Sequence, residues 1–142
     1  LTKANDARIA DRLVVITDGD PDAPGDRVAK LKELARSLGS ADALIIESNT
    51  KTLEHELFAS GNAALVKAAY CALRQNGDTE WATEVDAAPE AERADKFLAL
   101  FHKKRIRKGD FAQELCRAIV KGDHPFTVPP YLEKAIQAAF VA

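Results

Sequence analysis

Methionine is absent throughout this chain, even at position 1. A chain without an initiator is expected to be a fragment or trimmed domain of something longer. Cysteine is scarce: Cys71 and Cys116 each sit inside an apolar helical pattern, with no CxxC and no Cys/His spacing nearby. A disulfide framework or zinc site is not expected, and both thiols read as small buried hydrophobes in a reducing compartment. His55, His102 and His124 are scattered and form no metal-ligand spacing. No apolar run approaches the length of a membrane span and the first residues do not form a signal peptide, so no membrane partner is expected and the cytoplasm is the expected compartment. A dominant charge sign is also lacking: 20 basic against 22 acidic residues gives a formal charge of -2. That balance does not advertise a polyanion partner, although a local basic patch works within a neutral chain.

The 142 residues suit one domain with a real core, and 46% hydrophobic with 30% charged residues is a globular composition, not a disordered one. No repeat, low-complexity segment or linker stands out. Residues 5–11 read as the end of a helix. Residues 13–17 (LVVIT) are a short β-branched run of the kind that forms a buried strand. Residues 19–26 (GDPDAPGD) form a loop. Residues 27–38 follow as an amphipathic helix with Val28, Leu31, Leu34, Ala35 and Leu38 on one face, closed by Gly39. Residues 43–47 (ALIIE) are a second buried strand, which completes a βαβ unit with a parallel pair and a right-handed crossover. The remainder is helical. One helix is expected from Thr52, its N-cap, to Ser60-Gly61, then others over 62–75 and 79–85, the latter around the only tryptophan, Trp81. Further helices are expected over 89–101, from Asp110 (capping, with Gln113 three residues on) to Val120, and from Pro129-Pro130 to Phe140.

Chemistry is concentrated where the first strand ends, in Asp18-Gly19-Asp20. Asp and Gly favour turns, and a turn alone explains many such triplets. Here the acids follow a buried strand, and ligands of α/β sheets bind beyond the carboxyl ends of the strands. In extended geometry residues i and i+2 point the same way, and two like charges aimed together call for a cation between them. A hard cation such as Mg²⁺ takes oxygen ligands of this kind. Glu54 and Glu56 follow the second strand in a similar position. Acids in a first helical turn also suit the macrodipole without any further role. The carboxyl ends of neighbouring parallel strands lie side by side, so Glu54 is a candidate for the same metal zone.

The segment from His102 to Gly109 is basic, with Lys103, Lys104, Arg105, Arg107 and Lys108. Such runs are usually solvated surface, but they also suit phosphate contacts. Lys108 stands apart because it precedes a helix start, where anions bind. His55, beside Glu54, reads as a surface or cap-region histidine, with a proton shuttle as the alternative.

Three segments in order carry a resemblance: VITDGD closing the first strand, Thr52-Leu53-Glu54 after the second, and Lys108-Gly109-Asp110-Phe111-Ala112 opening a later helix. Together they resemble the Toprim domain of OLD (overcoming lysogenization defect) family nucleases over about residues 13–120. The resemblance implies an α/β fold: a Toprim-type parallel sheet core with its first strand missing, in residues 1–60, and a helical part completing the region in 61–142. It implies an ATP-dependent DNA endonuclease acting in phage defence. Its amino-terminal ABC-type ATPase domain would bind ATP and is absent here, since no Walker A sequence occurs. It further implies a Mg²⁺ or Mn²⁺ two-metal site with Asp18, Asp20 and Glu54 as ligands, Lys108 stabilising charge during phosphodiester cleavage, DNA as substrate, and a homodimer of the full-length protein. Two metals about 4 Å apart bind both the attacking and the leaving oxygens of an in-line displacement. The family's earlier glutamate motif, roughly VEGxxE, has no match before Leu13, so it is expected upstream and the metal site here is expected to be incomplete.

Two alternatives stay open. A haloacid dehalogenase-like phosphatase would use Asp18 as nucleophile and Asp20 as general acid, but it needs an acidic pair after a later strand. A receiver-like interaction domain would use the acids structurally, with its lysine after a later strand.

Overall fold

The computed structural model describes residues 3–4, 7–8, 11–19 and 26–140. The chain is mixed α/β and mostly helical. It forms two compact units: residues 1–52 with 129–142, and residues 53–128. The divisions fall at 52/53 and 128/129, and the last helix groups with the strands.

In the first unit, β1 (Lys3–Ala4) and β2 (Ala7–Arg8) form a two-residue antiparallel ladder, pairing Lys3 with Arg8 and Ala4 with Ala7. At Ala7–Arg8 this corrects the helix expected over 5–11, of which residues 5, 6, 9 and 10 lie outside the described residues. Next, β3 (Leu13–Thr17) and β4 (Leu44–Ser48) pair in parallel, Leu13 opposite Leu44 through Thr17 opposite Ser48. Between them in sequence runs α1 (Arg27–Ser37). Asp26 caps its start by accepting from the Ala29 N–H at 2.9 Å, and Gly39 ends it at φ +61°. The Ser40 N–H returns to the Ala35 carbonyl, closing a Schellman-type turn. Of the apolar face expected for α1, only Ala35 is buried, while Leu34 and Leu38 remain exposed. They line an apolar groove of about 200 Å³ with Leu13, Val15, Leu31 and Leu44. The helix α7 (Pro130–Phe140) packs on both β3 and β4, burying Tyr131 and Ala135. Arg12 secures its far end by donating to the Ala138 carbonyl at 2.8 Å.

The second unit is helical. It comprises α2 (Leu53–Leu57), α3 (Ala63–Ala72), α4 (Gly77–Trp81), α5 (Arg93–Lys103) and α6 (Lys108–Lys121). Gly61, at φ +92°, breaks the path between α2 and α3 where the sequence signalled a stop. Asn62 does not open a helix through a side-chain cap. Its buried amide instead donates to the Leu57 and Thr127 carbonyls and accepts from the Thr127 N–H, stapling the segment after α6 to the kink. Phe97 centres the core, with Phe58 and Trp81 at 5.6 Å and Phe101 at 5.8 Å between ring centroids. Each such pair contributes about 0.5–1.5 kcal/mol beyond burial of area. Asp110 does not cap α6, which starts two residues earlier, at Lys108. Arg107 occupies the cap position without a side-chain cap bond, and Asp110 instead accepts from Arg107 Nε at 2.6 Å.

Candidate functional site

In the first unit Asp18 follows the last residue of β3, and Asn49 follows the last residue of β4. The parallel register brings the two strand ends level. The half-buried Asp18 accepts from Asn49 Nδ2 at 2.7 Å through Oδ1. The Gly19 N–H donates to Asn49 Oδ1 at 2.8 Å. An N–H facing one end of the amide and a carboxylate facing the other fix which atom is nitrogen. Tyr131 Oη accepts a longer contact of 3.5 Å from the same Nδ2. A Cβ at Gly19 would overlap the Asn49 carbonyl oxygen, so the close approach of the two strand ends needs glycine. Asp18 Oδ2 accepts no bond among the described residues and stays open to a further partner. Asp20 lies outside the described residues.

In the second unit Glu54 is the second residue of α2, and Lys108 is the first residue of α6. Lys108 Nζ donates to Glu54 Oε2 at 3.2 Å. The carboxylate is nearly buried, at 8% side-chain exposure, while the ammonium is 57% exposed. The geometry therefore joins two residues singled out separately in the sequence. Beside them His55 Nε2 lies 3.0 Å from Asp95 Oδ1 on α5, which ties α2 to the core helices. His55 lies in the first turn of α2, the cap region expected for it, with its side chain 13% exposed.

A second polar cluster had no sequence signal. Glu80 on α4 accepts from Tyr70 Oη at 2.6 Å, from Arg74 Nη2 at 3.0 Å and from Lys104 Nζ at 2.6 Å. These bonds, Arg74 first and then Lys104 and Tyr70, hold its carboxyl well below the usual range. Burial and the same carboxylate push the Tyr70 hydroxyl up. Burial, then the Asp78 carboxylate, pushes the Cys71 thiol up to about 11, which makes it a poor nucleophile. Every member of the Glu80 cluster is engaged by another, as in a structural clamp. Tyr70 and Arg74 are near Glu80 in sequence but on the far side of the turn that precedes α4, and Lys104 lies 24 residues away, so the cluster closes only through the fold.

The described carboxylates suit a hard divalent cation in kind, since all their donors are oxygen. Among the described residues, however, no group of three or more His, Cys, Asp or Glu side chains is arranged to hold a metal ion. Among them, too, no strand follows β4, and no helix is long and apolar enough to cross a membrane. Set beside known proteins, the chain matches no family model, no curated protein and no solved structure.

Proposed function

We propose that this chain is the catalytic region of a metal-dependent DNA endonuclease, with a Toprim-type core of the OLD family kind. The observation that carries this reading is the Lys108–Glu54 pair. Two of the three motif segments, far apart in sequence, meet through their key residues at 3.2 Å. Asp18 adds support, because it stands at the carboxyl end of a parallel strand, half-buried, with one oxygen open.

In this reading Asp18 and Asp20 are carboxylate ligands of Mg²⁺ or Mn²⁺, and Glu54 is a further carboxylate ligand. The bound ions would supply Lewis-acid charge and an activated water for phosphodiester hydrolysis. Asn49 holds the Asp18 carboxylate in one orientation. The exposed Lys108 ammonium offers positive charge to the phosphate as negative charge develops there. ATP binding falls to an ABC-type ATPase domain in the same protein, which would act on DNA as a homodimer. A phosphatase would need acids after a later strand, and a receiver-like domain a lysine after one; Lys108 instead opens α6.

The test is nicking of supercoiled plasmid with Mg²⁺ or Mn²⁺ by the protein carrying both ATPase domain and this chain. Asp18→Ala, Asp20→Ala and Glu54→Gln are expected to abolish nicking with far-UV circular dichroism unchanged. Lys108→Ala is expected to slow it roughly 100- to 1000-fold. Full nicking by both aspartate variants overturns the reading.

A further inference from the structure

We infer that the turn between α5 and α6 docks the phosphate backbone of a nucleic acid, with Arg105 as its chief phosphate contact. The turn belongs to the same unit as the Lys108–Glu54 pair, and the inference deepens the nuclease reading by naming where this unit grips its substrate.

Five cations lie between Lys103 and Lys108. Four are engaged by carboxylates: Lys103 with Glu84 at 2.7 Å, Lys104 with Glu80 at 2.6 Å, Arg107 with Asp110 at 2.6 Å and Lys108 with Glu54 at 3.2 Å. Arg105 is exposed and has no carboxylate partner among the described residues. It is also the only non-glycine residue described with positive φ, at +53°. The turn is of Schellman type: the Arg105 N–H donates to His102 O at 3.0 Å and the Ile106 N–H to Phe101 O at 3.2 Å. Glycine is the favoured residue at that left-handed position, because it has no Cβ to crowd the backbone. An arginine there is strained, and strain of this kind gathers at functional sites.

The same turn leads into α6, a helix of 14 residues whose cap carries no side-chain bond. Gly109 leaves its first turn uncrowded, with nothing within 4 Å of where a Cβ would stand. Helix-start N–H groups and the positive end of the dipole suit a phosphate oxygen beside the Arg105 fork. The Arg107–Asp110 pair is exposed and weak, so Arg107 is free to exchange partners. A lipid surface would need apolar side chains projecting beside the cations. The one apolar residue of the turn, Ile106, packs against the core instead.

The test is fluorescence anisotropy of a fluorescein-labelled 20-base-pair DNA with the 142-residue chain in EDTA, where no cleavage confuses binding. Arg105→Gly removes the guanidinium and relieves the backbone, so its melting temperature should hold or rise. Its Kd should increase about fivefold, and the slope of log K against log salt should shrink by about one. Arg105→Lys should retain most of the binding. Equal Kd and equal salt slope for Arg105→Gly overturns the inference. So does a wild-type chain that ignores DNA, whether or not it binds phosphatidylglycerol vesicles. Weakened binding by Arg105→Gly in a protein that never nicks DNA would uphold the docking surface and sink the nuclease reading. Unchanged binding in a protein whose nicking depends on Asp18 would do the reverse.

Discussion

Asn49 and Gly19 decide how Asp18 is presented. The amide joins the two strand ends by donating to the Asp18 carboxylate and accepting from the Gly19 N–H, and glycine is what permits the approach. Gly19→Ala is therefore expected to destabilise the first unit by about 1–3 kcal/mol, as overpacking does. Urea unfolding followed by circular dichroism would measure it, and an unchanged midpoint would contradict the crowding. The aspartate was legible in the sequence because a β-branched run followed by acids is a local pattern. Asn49 was not: it lies 31 residues further along, in a segment that reads only as a connection, and its role exists only once the strands pair. Lys108 and Glu54 were each legible as motif residues. Their bond was not, because it depends on how α6 packs against α2. The left-handed Arg105 ran against propensity, which favours glycine at such a turn, so nothing local announced it.

At the level of elements, β3, α1, β4, α5 and α7 form close to their expected spans, although α1 buries only Ala35 of its apolar face, and Gly39, Gly61 and Gly122 stand at positive φ where helices stop or break. Local rules failed where a longer-range bond won. Asn62 stands at the start of α3 as expected, but its buried side chain anchors Thr127 and does not cap the helix. The α4 helix is held by the Glu80 clamp to Arg74, just beyond the end of α3, and to Lys104, just beyond α5. Because that carboxyl titrates below its ordinary value of 4.5 when folded, its contribution is present above that pH. It is lost as pH falls through the lowered folded value. Wild type should therefore melt above Glu80→Gln at pH 7, and the gap should narrow as pH drops below about 4.5. Thermal unfolding between pH 7 and 3 would measure this. A gap that widens in acid would contradict the clamp.

Across the whole molecule, the notable fact is that one unit is discontinuous in sequence. Its strands lie within residues 1–52 and its covering helix α7 arrives only after residue 129, with the whole second unit between them. Removal of residues 129–142 is expected to strip hydrogen-exchange protection from β3 and β4. The amides of α3 and α5 should stay protected, because their core around Phe97 is complete within residues 53–128. Equal loss in both units would contradict this division.

The order of those pieces also bears on how the chain is made. A ribosome adding roughly 5–20 residues per second releases LVVIT and LIIES several seconds before the helix that covers them. Two parallel strands with no helix from the far end of the chain are a weak, sticky pair. For that interval the nascent protein exposes valine and isoleucine edges of the kind chaperones bind and neighbouring chains capture. Yield on overexpression should therefore depend on chaperone supply more than the well-packed second unit alone would suggest.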